Sequence, residues 1–147
     1  MSQEAPGIEL STSLGYLLKE AASALRSEME AALRPLDMTI THYSCLELLA
    51  QRPGLTNSEL ARGAFVSRQA MNVLLQSLES DGLVSRAETP TTGRALPTRL
   101  TASGKQQLAS ASAAVRSVED RMRSRLAPGD DEQLTRLLSS CIAALKG

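Results

Sequence analysis

The chain has no tryptophan, one phenylalanine and two tyrosines. Aromatic side chains therefore cannot build its interior, and the 42% of residues that are apolar must pack mainly as Leu, Ala, Val and Met. That apolar share also excludes a disordered tail. Cysteine is scarce as well: Cys45 and Cys141 are too few and too far apart for a disulfide framework or a zinc site. The one histidine, His42, has no nearby Cys or acidic ligand set, so no metal site is expected. No apolar run approaches the roughly 18 residues that a membrane span needs. The opening "MSQEAPGIEL" has neither the basic region nor the apolar stretch of a signal peptide. A cytoplasmic protein with no membrane partner is the expectation. There is no glycine-rich phosphate loop, no Gly-x-Ser-x-Gly elbow and no plausible nucleophile and base pair, so no enzyme, no catalytic residue and no cofactor are expected. The acidic run at 130–132 acts more naturally as first-turn charge on a helix.

Net charge is absent too, with 16 Lys/Arg against 16 Asp/Glu, which argues mildly against a nucleic-acid partner. The distribution matters more. Residues 1–54 carry −3, residues 55–105 carry +2 and residues 106–147 carry +1. The middle of the chain is the positive part.

Apolar residues at Leu14, Leu18, Ala21, Leu25, Met29, Ala32 and Leu36 step by three and four, the stripe of a helix. Pro35 and Asp37 end it. A second helix is predicted from Thr39 to Gln51, with Ile40, Tyr43, Leu46, Leu49 and Ala50 inward, stopped by Pro53-Gly54. Thr56 and Glu59 form a capping box for a short helix to about Arg62. Ser67 caps the next, whose buried stripe is Met71, Leu74, Leu75 and Leu78 and whose left-handed C-terminal residue is Gly82. Val66 and Met71 are placed for a hydrophobic staple. Two strand-like runs follow, Leu83 to Glu88 and Arg94 to Leu100, around the tip "TPTTG". Pro97 requires an edge or a bulge. Thr101 then caps a long helix with Leu108, Ala111, Val115, Val118, Met122 and Leu126 on one face, and a last helix from about Asp130 carries Leu134, Leu138, Cys141, Ile142 and Leu145.

Two capped helices and a hairpin in this order suit a winged helix-turn-helix, which puts one helix into the DNA major groove. Gln69, Asn72 and Gln76 share one face of that helix, and their amides can pair with adenine. Val73 can touch a thymine methyl. Ser67 and Arg68 sit at the positive helix end and suit phosphate. Arg94 at the wing tip is the minor-groove candidate, with Arg86 and Arg99 as backbone neighbours. The bland alternative is that these polar residues only solvate an exposed face. Cys45 is expected to be an inert buried hydrophobe, Cys141 dimer core, and Phe65 core. His42 and Tyr16 are the candidates for lining an effector pocket, the alternative for His42 being a partly exposed helix position.

The segments "LTNSELAR", "VSRQAMNVLLQSLESDGLV" and "GRALPTRLTASGKQ" resemble the MarR family of winged helix-turn-helix regulators, and the likeness covers nearly the whole chain. It implies a mainly α fold with a small β-hairpin wing (α+β), one domain over 1–147, with dimerisation helices at 11–36 and 104–147 around a DNA-binding lobe at 38–103. It further implies a homodimer on an inverted-repeat operator in double-stranded DNA, usually repressing nearby genes, with a small molecule or oxidant that weakens binding. The alternative is a dimer of this fold that senses a ligand or partner protein and has lost tight DNA binding. The chain departs from the family pattern in three places: Thr92-Gly93-Arg94 stands where the wing tip commonly reads Asp-Arg-Arg, Val73 where an Arg is common, and Phe65 where Gly is common.

Overall fold

The computed structural model describes residues 5–86 and 98–147. Helix α1 (Leu14–Leu33) starts where the Ser13 hydroxyl accepts the Tyr16 N–H. It runs into a 3-10 turn over Arg34–Leu36 and stops at Asp37, which is left-handed at φ 55°. Helix α2 (Ile40–Gln51) opens with a capping box that the spacing did not advertise: Thr39 Oγ1 accepts the His42 N–H at 3.1 Å, and His42 Nδ1 accepts the Thr39 N–H at 3.2 Å. Helix α3 (Asn57–Gly63) carries the expected Thr56/Glu59 box. Helix α4 (Arg68–Ser80) begins with Ser67 Oγ accepting from Ala70. Strands β1 (Val84–Arg86) and β2 (Thr98–Leu100) pair antiparallel, with Val84 opposite Leu100 and Arg86 opposite Thr98. Helix α5 (Ala102–Arg123) and helix α6 (Asp130–Lys146) complete the chain.

The core lies low in the molecule, where α2, α3, α4, the strand pair and the first half of α5 meet. Leu33, Leu46, Leu60, Met71, Leu75 and Leu78 are its largest fully buried side chains. The stripe expected along α1 enters this core only at its end: Leu14 is exposed, Met29 and Leu36 pack partly, and Leu33, off that stripe, is the one fully enclosed. Ala50, expected inward, is exposed. Helix α6 buries nothing within the chain. Its Leu134, Leu137, Ile142 and Leu145, with Leu14, Leu18, Met122 and Leu126, are exposed apolar groups, and Cys141 is exposed beside them. So many exposed apolar groups on three long helices call for a partner surface.

Three helix ends share one device. After α4, the Leu83 N–H donates to Leu78 O at 2.9 Å and the Gly82 N–H to Glu79 O at 3.0 Å, around Gly82 at φ 76°. After α3, the Val66 N–H donates to Ala61 O and the Phe65 N–H to Arg62 O, around Phe65 at φ 59°. After the turn following α1, Met38 and Asp37 do the same to Leu33 and Arg34. Each is a Schellman end, which needs a left-handed residue. This overturns the expectation that Phe65 is core: a residue in that position points away from both helices, and Phe65 is 91% exposed. Phe65→Gly should therefore raise stability by about 0.5–1 kcal/mol, relief of left-handed strain outweighing the added freedom of the unfolded chain. Urea unfolding of the two proteins measures it.

Candidate nucleic-acid interface

Helix α4 is sorted by its own periodicity. Met71, Leu75 and Leu78 face the core, and Ser67, Arg68, Gln69, Asn72, Val73 and Gln76 are all exposed. The expected contact set thus shares one solvent face. Val73 is 67% exposed, an apolar group offered to solvent at the centre of a polar surface. Ser67 Oγ is already an acceptor for Ala70, so toward an anion it has its hydroxyl hydrogen to give. Arg68 is the first helical residue, where free N–H groups and the helix dipole reinforce its charge.

The amides are not equivalent. Asn57 Nδ2, in the first turn of α3, donates to Asn72 Oδ1. Reading adenine with both ends of an amide needs a free acceptor as well as a donor, and Asn72, its acceptor engaged by Asn57, has only its N–H group to offer such a contact. Gln69 and Gln76 have no such partner among the described residues. Asn57 was missed from sequence because it reads as an ordinary residue after a cap, and only the packing of α3 on α4 makes it a brace.

In the strand pair, side chains alternate. Val84 is buried, Ser85 is exposed and Arg86 falls on the inner face opposite the buried Thr98. Arg86 Nε and Nη2 are buried without a hydrogen-bond partner among the described residues. Strand parity starts the Arg86 side chain on the inner face and leaves the residue half-buried, near enough to Cys45 for its charge to act on the thiol, so less of it is open to a phosphate than of Arg99. Arg99, opposite Ser85, is exposed as expected. Arg94, with the wing tip and Pro97, lies outside the described residues.

Cys45 is fully buried, and its thiol donates to Met71 Sδ at 3.8 Å. Burial pushes its pKa up to about 12, with the Arg86 guanidinium pulling the other way. At neutral pH it is a thiol, and a thiol without the thiolate is a poor target for oxidants.

His42 lines a cleft of about 700 Å³ between α1, α2 and α4, with Arg26, Arg34, Asp37, Ser77 and Asp81 among its other walls. Tyr16, exposed in the first turn of α1, does not line it. Burial lowers the His42 pKa below its ordinary value of 6.5, while Asp81 and then Asp37 oppose that shift. A folded pKa below the unfolded one means that neutral His42 supports the fold above pH 6.5 and that this support is lost as pH falls from there through the lowered folded pKa. Protonation would also cost the Nδ1 acceptor of the capping box. The unfolding midpoint of the wild type should drop between pH 7.5 and pH 5.5 by more than that of His42→Gln, which keeps a capping box and cannot titrate. Among the described residues no three His, Cys, Asp or Glu side chains gather as a metal would require, and no helix there is long and apolar enough to cross a membrane.

A model of the MarR family matches residues 36–95. The chain is 43% identical over 125 residues to the HTH-type transcriptional repressor Rv2887 of Mycobacterium tuberculosis, which covers 85% of this chain and 90% of the relative. The crystal structure of Rv2887 in complex with DNA superposes with a TM-score of 0.75 at 40% identity, covering 88% of this chain and 98% of that one. Rv2887 in complex with salicylic acid gives a TM-score of 0.74 at 42% identity, covering 88% and 96%.

Proposed function

The chain belongs to the MarR family of helix-turn-helix transcriptional regulators, and from that premise we propose that it is a homodimeric repressor that holds a pseudo-palindromic operator in double-stranded DNA. The family is one of regulators and not of enzymes, and we assign this chain no catalysis and a place in the cytoplasm. The observation that carries the reading is the exposed face of α4, polar apart from Val73, over a buried Met71, Leu75 and Leu78 stripe. Two such helices in a two-fold particle enter successive major grooves about 34 Å apart. The apolar surface of α1, α5 and α6 supports a dimer seam, one copy's helices covering the other's. In this arrangement Gln69 and Gln76 read bases, Val73 meets a thymine methyl, Asn72 contributes its free N–H, Ser67, Arg68 and Arg99 hold phosphates, and Arg94 enters the minor groove. The whole of 1–147 then works as one domain.

Gln69→Ala should cost about 1–3 kcal/mol per half-site and relax preference at one base position. Asn72→Ala should cost less, since its acceptor is already taken by Asn57. Competition binding against operators substituted one base at a time separates the two. Footprinting the protein on the DNA upstream of its own gene tests the reading as a whole, with a protected inverted repeat expected. The competing reading, a ligand-sensing dimer of this fold that no longer holds DNA, rests on the zero net charge, and absence of any footprint at low salt decides for it. Because the relative Rv2887 was crystallised with salicylic acid, we further assign this chain a small-molecule effector. The His42 cleft, with Arg26 and Arg34 on its walls, is the place given to it here, and Tyr16 is reassigned to the dimer seam.

A further inference from the structure

The tie between α3 and α4 does more than space two helices. Asn57 is the first residue of α3 and is half-buried. The Thr56/Glu59 capping box locks the start of that helix. Its Leu60 and Ala61 are buried in the same core as Met71 and Leu75 of α4. Asn72 follows Met71 directly and stands between Gln69 and Gln76 on the exposed face of α4. The Asn57 side chain thus reaches Asn72 from a backbone that is held in place, and its Nδ2 donates to Asn72 Oδ1. An amide is planar, so engaging its oxygen also sets the direction of its NH2 group. That NH2 group is what Asn72 has left for DNA.

Every base pair shows the major groove one keto base and one amino base. Guanine and thymine present a carbonyl oxygen, and adenine and cytosine present an amino group. A free amide joins adenine at two points, as donor and acceptor together. An amide whose oxygen is already spent can only donate, so it suits a keto oxygen and leaves an amino group unanswered. We propose that Asn57 is a specificity-determining residue of the DNA site: by occupying Asn72 Oδ1 it makes Asn72 a reader of keto bases and withholds from it the two-point contact with adenine. Asn57 touches no base itself; it is a positioning residue that acts through Asn72. The inference rests on the regulator reading above. It also divides the labour on α4, with Gln69 and Gln76 keeping both ends of their amides for adenine.

The test is competition binding of the full-length protein to its footprinted operator, in duplexes that lack one base-edge group at a time: thymine without O4, guanine without O6, adenine or cytosine without its amino group. The same duplexes with Asn72→Ala give the baseline, so that only groups met by Asn72 count. Deleting a keto oxygen there should weaken the wild type about tenfold, and deleting an amino group should not. In Asn57→Leu, which frees Asn72 Oδ1, an operator with adenine at that position should gain about tenfold and become sensitive to loss of the adenine amino group. Asn57→Asp turns the tie round, because a carboxylate only accepts. Asn72 then donates to it with its oxygen free, and amino bases should gain again, against an affinity lowered at every sequence by the added negative charge. A mere loosening of α3 would weaken all operators alike and change no preference. The tie itself is read without DNA: by NMR, the Asn57 side-chain NH2 should exchange with water about fivefold more slowly in the wild type than in Asn72→Ala. Sensitivity of the wild type to an amino group at the Asn72 position, preferences unmoved by both Asn57 variants, or equal exchange overturns the proposal. A wild type that protects no DNA while the exchange difference stands overturns the regulator reading, and the base-reading role with it.

Discussion

Gly104→Ala is expected to destabilise the protein by about 3 kcal/mol or to prevent folding, although it replaces a glycine inside a helix. On propensity alone the change should gain about 1 kcal/mol. Packing reverses the sign. A Cβ built on Gly104 would lie 2.0 Å from Leu83 O and 3.0 Å from Leu83 C, a backbone collision that no rotamer can avoid. The carbonyl cannot simply retreat, because it accepts the Thr101 N–H at 3.0 Å. Thr101 is itself doubly held: its hydroxyl donates to Gly82 O at 2.6 Å and accepts the Gly104 N–H at 3.0 Å. Relief means moving α5 off the strand pair and opening the core at Leu108 and Val84. Gly15→Ala is the control. Nothing lies within 4 Å of the added carbon at Gly15, so there the ordinary gain of up to about 1 kcal/mol should appear. Urea unfolding followed by circular dichroism reads both, and a Gly104→Ala protein as stable as the wild type would show the contact to be soft.

The second large effect concerns assembly. Leu134→Glu combined with Ile142→Glu should leave a monomer and lower operator affinity by at least about a hundredfold, since two half-sites joined in one particle gain that much over each alone. Both residues lie on α6, at 44% and 53% exposure within one chain, and α6 contributes nothing to the core. Secondary structure of the monomer should therefore survive, which separates lost assembly from lost folding. Analytical ultracentrifugation and gel-shift titration give the two answers. A double variant that stays dimeric would place the seam elsewhere.

Periodicity made most of this fold legible. The three-and-four steps of Met71, Leu75 and Leu78 oriented α4, and Ser67 and Gly82 marked its ends, Thr56 and Thr101 the starts of α3 and α5, by chemistry that acts within four residues. What escaped was set at longer range or by parity. Arg86 reads as a surface charge until the pairing register with Thr98 assigns it a face, and a shift of one residue would have reversed that. Leu33 lies off the stripe of α1 because the chain turns under the core just beyond it. Phe65 looks like core by composition, and only the Schellman end of α3 reveals that its place is defined by backbone conformation. His42 escaped as a cap because an imidazole acceptor seldom serves where a carboxylate or amide does. Asn72 was seen correctly on its face, but its tie to Asn57 needs two helices brought together.

The bonds that join Gly82 and Leu83 to Thr101 have a mechanical consequence. They weld the end of the DNA-reading helix to the start of a rod of 22 residues, about 33 Å long. The reading head therefore has no private hinge. A tilt introduced at the far end of that rod, where two copies would meet, arrives at the groove undamped and mirrored in the other half of the particle. In the proposed dimer, control would then be a matter of leverage, with the span between the two heads as the adjustable quantity.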